Sequence, residues 1–221
     1  VTPPEQHAEF VAHMEDILDR CQRPDDPQRP LIGMDEPPVQ LIQATRCPGP
    51  ARPGKPERVD DEYERKGAAA LCLFTAPLPG WRRVSVRAHR TAVDWAGEVR
   101  ILLEEDFPDA ENTILICDNV NTHTIGALYK AFPPAQARAL AMRSAIHSTP
   151  KHGSWLNVAE IDLSVLTRQC LDDRIPDIDR LRQEVRAWYQ QRNDEQKGVD
   201  WQFTTADARI RLKRLYPQIQ T

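Results

Sequence analysis

The sequence has no close pair of cysteines. Cys21, Cys47, Cys72, Cys117 and Cys170 lie far apart with no CxxC among them. That spacing argues against a zinc site, and the odd count suits a reduced, cytosolic chain. Cys72 and Cys117 sit inside apolar runs and read as small buried residues of strands. No run approaches the roughly 18 apolar residues that a membrane-spanning helix needs. No charged-then-apolar leader opens the chain, so no secretory signal is expected. Internal repeats and low-complexity tracts are also absent. Nor is there a basic excess: the net charge is −4, which taken alone argues weakly against nucleic acid.

What is present is enough for one ordinary domain with helical extensions: 221 residues, 40% of them hydrophobic. The chain starts at Val1 rather than Met, so it is expected to be either trimmed or a fragment of something longer. Its charge is unevenly spread. Residues 1–29 hold seven acids against three bases, whereas Arg82, Arg83, Arg87, His89 and Arg90 cluster, as do Arg209, Arg211, Lys213 and Arg214.

Periodicity sets the elements. Phe10, Val11, Met14, Ile17 and Leu18 follow the spacing of an amphipathic helix over 4–22, ended by prolines at 24, 27 and 30. "LIGMDE" reads as a short buried strand ending in acids, and the Pro-rich 47–56 as a loop. "AAALCLFTA" (68–76) is a second strand. "RRVSVRA" (82–88) alternates and predicts a half-buried strand with Arg83, Ser85 and Arg87 on a basic face. A helix capped by Thr91 spans 91–107, "NTILICD" is a fourth strand, and a helical region interrupted by Pro133 and Pro134 covers 125–143. "SAIHS" (144–148) is a fifth strand. Helical periodicity returns over 154–171, 177–193 and 204–217, the last opened by a Thr204–Asp207 capping box. This order predicts a mixed sheet with helices on its faces.

Three acids stand out. Asp35 ends the first strand and Asp118, in "CDNVNTH", ends the fourth. Glu160 lies in a segment where eight of twelve residues, Trp155 to Leu166, are apolar. On a helix Asn157, Glu160 and Ser164 share a stripe roughly 60° wide, and Asp162 points the opposite way, towards solvent. A partly desolvated carboxylate must be paired, protonated or bound to metal. Singly, a strand-end aspartate is usually a turn residue, and a buried helical glutamate is more often a salt-bridge partner. Together the three could converge on divalent cations. Oxygen ligands suit magnesium or manganese, and two such ions can clamp the attacking and leaving oxygens of a phosphodiester. Asn119, Asn121 and His123 would hold the loop or a phosphate oxygen. His147 or His152 could assist. Trp155, Trp188 and Trp201 read as packing residues, and His89 with Arg90 as a phosphate contact or an exposed strand end.

The strings "GMDEPPVQL", "RPGKPERVDDEYERKGAAAL", "CDNVNTH", "HSTPKHGSWLNVAEIDLSVL", "AWYQQRN" and "VDWQFTTADAR" resemble transposases of the mariner-like superfamily, in the branch common among bacterial insertion sequences. The pairing of "DNxNTH" with "SWLNxxE" is specific, and the similarity runs over nearly the whole chain. The resemblance implies a ribonuclease-H-like α/β fold: a mixed sheet with helices on both faces and extra C-terminal helices. It implies a DDE triad of Asp35, Asp118 and Glu160, which would bind two Mg2+ ions (Mn2+ as substitute), with Asn119, Asn121, His123 and Asn157 as support. It implies cleavage of DNA at transposon ends and strand transfer into target DNA. Candidate DNA contacts are Arg52, Lys55, Arg58, Arg87, His89, Arg90, Lys151 and His152. The loop 47–58 is expected to reach a partner protomer or DNA, or else to be solvated, and a homodimer is expected. Residues 1–29 would form a linker helix and connector, 30–171 the catalytic core and 172–221 a helical extension.

The pattern departs from the family in three places. Asp118 and Glu160 are separated by 41 residues, a longer gap than is usual in that group. Ser148 stands where an aromatic usually precedes "TP". No stretch resembles the helix-turn-helix that reads the terminal repeats, so that region is expected outside these residues. The expected setting is the bacterial cytoplasm, at the nucleoid. A non-catalytic fragment that binds DNA or dimerises, and a general nuclease of the same fold, remain the competing expectations.

Overall fold

The computed structural model describes residues 7–45, 53–54, 62–199 and 201–217. Its elements are α1 (Ala8–Cys21), β1 (Leu31–Asp35), β2 (Pro38–Ala44), β3 (Tyr63–Ala76), β4 (Trp81–Arg87), α2 (Ala92–Ile101), β5 (Thr113–Cys117), α3 (Ile125–Ala131), α4 (Pro134–Met142), β6 (Ser144–Ser148), α5 (Ala159–Cys170), α6 (Ile178–Asp194) and α7 (Thr205–Arg211). The predicted strands and helices are all present, and one strand, β2, was not anticipated. Its opening Pro37–Pro38 reads as a break, yet proline is tolerated as the first residue of a strand.

Six strands form one mixed sheet, with neighbours in the order β2-β3-β1-β5-β6 and β4 also on β3. β3 organises one half of it. β1 and β2 keep a single antiparallel register against β3, from Gly33↔Thr75 through Asp35↔Leu73 to Pro38↔Ala70 and Gln40↔Ala68. β4 pairs with the same stretch of β3, so it occupies the opposite edge. β1 and β2 are therefore one strand bent at Glu36–Pro37. β5 lies parallel to β1, and β6 parallel to β5. Every residue of β5 is buried, as expected of a parallel strand covered on both faces.

Helices cover both faces. Trp95, Val99, Leu103, Leu128 and Leu140 of the α2–α4 side pack on Ile32, Met34, Phe74, Leu115 and Cys117. On the other face Leu166, Leu181, Val185 and Trp188 pack on Leu71, Leu73, Val84 and Val86. Also on that face, Phe10, Met14, Ile17 and Leu18 of α1 cover Ile116 and Leu156, joined by Ala208 and Leu215. Thr204 closes the capping box the sequence predicts, and Thr91, expected as an N-cap, closes one as well. α2 runs on into a π-helical turn over Leu102–Asp106. No helix among the described residues is long and apolar enough to cross a membrane.

One expectation about charge is corrected and another is completed. The arginine face of β4 lies where the alternation puts it, half-buried, and α2 neutralises it. Arg83 and Arg87 both bind the carboxylate of buried Glu98 on α2, and Arg83 Nε also meets Asp106 at 2.6 Å. Arg82, in line with Val84 and Val86, is wholly buried. Asp162 does not face solvent: it is 1% exposed, and its Oδ1 lies 2.7 Å from Arg82 Nε. An approximate helical wheel placed it correctly opposite Glu160, but that side of α5 faces the sheet.

Candidate active site

The site is built where two parallel strands end side by side. Met34 and Cys117 are register partners, so Asp35 and Asp118 are the next rung, with strands separated by about 4.8 Å. Gly33 and Ile116 are also partners. With the period of two, Asp35 and Asp118 lie on their face of the sheet, the one that α5 and α1 cover. Gly33 lets the start of α5 come close: a Cβ there would stand 2.5 Å from Val158 Cγ1 and 3.0 Å from the Ala159 nitrogen.

The sequence from Ser154 was expected to be helical throughout. Instead a 3-10 turn (Ser154–Leu156) precedes α5, and Asn157 occupies the junction. Asn157 is fully buried. Its Nδ2 donates to the Met34 carbonyl at 2.8 Å and reaches Asp118 Oδ1 at 3.5 Å, while its Oδ1 accepts from the Ala159 amide at 3.1 Å. One side chain thus ties together β1, the end of β5 and the first turn of α5. Thr149 Oγ1 donates to Asp118 Oδ1 at 3.1 Å. Glu160 follows in the first turn of α5 and is half-buried.

Asp35 and Glu160 both lie within reach of the Asp118 charge. Burial pushes the Asp35 carboxyl up to about 6, and Asp118 and Glu160 add to the rise against a hydrogen bond from the Glu36 amide. Burial also raises Glu160, with Asp118 contributing. Like charges at close range favour retaining a proton or gaining a cation. Yet no group of three His, Cys, Asp or Glu side chains among the described residues is set closely enough to hold a metal ion as it stands. The three carboxylates do not by themselves make a finished cage. That donor set suits a hard cation which takes one or two carboxylates and completes its shell with water and substrate oxygens, as magnesium does.

The remaining expected residues are dispersed. His123 is buried behind the acids, with Nε2 3.4 Å from Glu36 Oε2 and its ring stacked on Trp95. Arg90 meets the same Glu36 carboxylate at 3.4 Å. Arg87 is engaged by Glu98, and His89 is exposed. Asn121 is exposed. Asn119, Lys151 and His152 line a groove of about 430 Å³ with His7, Phe10 and His13 of the α1 end. His147 is turned away, with Nδ1 2.7 Å from Asp16 on α1. Trp155 packs edge-on against Phe203. Arg52, Lys55 and Arg58 lie outside the described residues. Sequence reasoning passed over Gly33, Glu36 and Thr149, although "GMDE" and "STP" hold them beside the chosen acids.

Residues 30–182 match the family described as DDE superfamily endonuclease, and the chain belongs to that family. Among solved structures it is similar to the Mos1 mariner paired end complex with Mn, at TM-score 0.57 and 16% identity over 89% of this chain and 60% of that one. Another is the mariner Mos1 paired end complex with Mg, at TM-score 0.56 and 15% identity over 99% of this chain and 66% of that one. The Mos1 Strand Transfer Complex matches at TM-score 0.57 and 14% identity, over 89% and 60% of the two chains. The likeness shows the fold, ribonuclease-H-like, and this chain spans about 60% of the first Mos1 chain's length. No curated protein matches the chain by sequence.

Proposed function

We propose that these residues form the catalytic domain of a DNA transposase of the bacterial insertion-sequence branch, cutting DNA at transposon ends and joining it to a target. The observation that carries this reading is the placement of Asp35 and Asp118 at adjacent ends of β1 and β5, with Asn157 tying both strands to the first turn of α5, which bears Glu160. Family membership supports it, and so does the likeness to Mos1, whose structures are paired-end and strand-transfer complexes. In this reading a homodimer acts in the cytoplasm at the nucleoid.

Asp35, Asp118 and Glu160 would hold Mg2+ or Mn2+, two ions being expected, which supply charge neutralisation and water activation at the scissile phosphate. The chain's own contribution is positioning. Asn157 and Thr149 fix the Asp118 carboxylate, and Gly33 admits α5 close enough to present Glu160. The groove holding Asn119, Lys151 and His152 offers a path for the DNA strand beside Asp118.

Cleavage of a transposon-end duplex with Mg2+ or Mn2+ tests the reading. Wild type should nick it, and Asp118→Asn should fold normally and fall to background. Equal rates in the two proteins would show that the acids do not do this chemistry. The competing reading, a non-catalytic fragment, draws on the lack of a ready-made metal-holding group among the described residues. It requires that wild type neither cut DNA nor bind metal.

A further inference from the structure

We propose that Asp162 is a positioning residue which, held by Arg82 and Thr75, sets the place of Glu160 at the active site. The inference rests on the reading of Glu160 as one of the catalytic acids.

α5 carries Glu160 in its first turn, and Asp162 is two residues further on, about 200° round the helix. The outward side of α5 gives it little hold, because Ile161 is 39% exposed and Ser164 is exposed. The inward side has an unusual anchor. Both Asp162 oxygens are bound separately: Oδ1 by Arg82 Nε at 2.7 Å, and Oδ2 by Thr75 Oγ1 at 2.7 Å. Arg82 and Asp162 are 0% and 1% exposed.

Arg82 is itself fixed in several directions. Its Nη1 donates to the Gly80 carbonyl at 2.9 Å and its Nη2 to the Lys197 carbonyl at 2.5 Å. Its backbone amide and carbonyl both pair with the Asn193 side chain at 2.8 Å. The carboxylate therefore reads the joint position of β3, β4 and the end of α6, and passes it to the first turn of α5.

A buried ion pair adds little net stability over an apolar pair of similar volume, because desolvation offsets the attraction. What it supplies here is direction. Apolar contacts tolerate sliding and rotation of a helix, whereas two hydrogen-bonded oxygens fix both. A carboxylate that must meet a metal ion needs that precision: supporting residues around a metal typically change its affinity by about tenfold to a hundredfold.

The test compares wild type, the double variant Arg82→Met/Asp162→Leu, and Glu160→Gln. Each is followed by thermal melting, Mn2+ titration calorimetry and cleavage of a DNA duplex across Mn2+ concentrations. The double variant should melt below wild type, because the Gly80 and Lys197 carbonyls lose their Arg82 donors, and Arg192, 3.9 Å from Asp162, loses its carboxylate partner. Once folded it should bind Mn2+ about tenfold to a hundredfold more weakly and need correspondingly more for half-maximal cleavage. Should it fail to fold, Thr75→Val serves instead, with Thr75→Ser, which keeps the hydroxyl, expected to retain wild-type metal dependence. A folded variant with unchanged metal dependence overturns the positioning role and leaves the proposed function standing. If Glu160→Gln also matches wild type, the role of Glu160 fails and this inference with it.

Discussion

At the residue scale, Asp35 carries the clearest signature. Its folded pKa is raised to about 6 by burial and by Asp118 and Glu160. The folded state holds this proton more tightly than the unfolded chain, whose aspartates titrate near about 4. The stability so contributed is full below about pH 4 and is lost as pH rises through about 6. Metal-free protein should therefore melt at falling temperature as pH is raised across that window. Asp35→Asn should flatten the slope, and added Mg2+ should restore stability near neutrality. Melting curves at several pH values check all three. A wild-type slope that Asp35→Asn leaves unchanged would contradict the assignment. The same scale shows why Asp162 was expected at the solvent: its partner Arg82 is 80 residues away, and the two meet where α5 packs on the sheet beside the Thr75–Arg82 pair.

At the scale of elements, the decisive contact is between β1 and the start of α5. Gly33→Ala would force its Cβ against Val158 and the Ala159 amide, and backbone cannot swing aside as a side chain end can. α5 would have to retreat, carrying Asn157 and Glu160 with it. The expected cost is about 1–3 kcal/mol of stability by urea denaturation. Cleavage should fall by about a hundredfold, since misplacement near 1 Å costs that much. Full activity in a folded Gly33→Ala protein would show that the close approach is not required.

Much at this scale was legible in the sequence. "LIGMD" and "TILIC" are short apolar runs with an acid at or just past their ends, and the Thr91 N-cap and the Thr204–Asp207 capping box declare their helices. The break before α5 was not legible, because Ser154–Leu156 keeps an apolar pattern while Asn157 is drawn out of helix by Met34 and Asp118. Nor was the use of the β4 arginines legible: alternation showed which face they take, and only the packing of α2 shows that Glu98 receives them.

At the scale of the whole molecule, α1 is part of the core. Phe10, Met14, Ile17 and Leu18 are buried against Ile116 and Leu156, and Asp16 and Glu15 tie it to His147 and Arg209. Each such apolar side chain contributes about 1.5–3 kcal/mol by burial, and a domain's net stability is only about 5–15 kcal/mol. Deleting residues 1–29 should leave the rest unfolded or aggregated, as circular dichroism and size-exclusion chromatography would show. A soluble, cooperatively melting product would mean that α1 is dispensable.

The central claim, that Asp35, Asp118 and Glu160 act together on a divalent cation, is tested most directly by Mn2+ titration calorimetry. Wild type and Asp118→Asn are compared with and without a short DNA duplex. Binding by wild type, strengthened by the duplex and lost in Asp118→Asn, is the predicted result. No binding by wild type even with DNA present, or equal binding by both proteins, would contradict it.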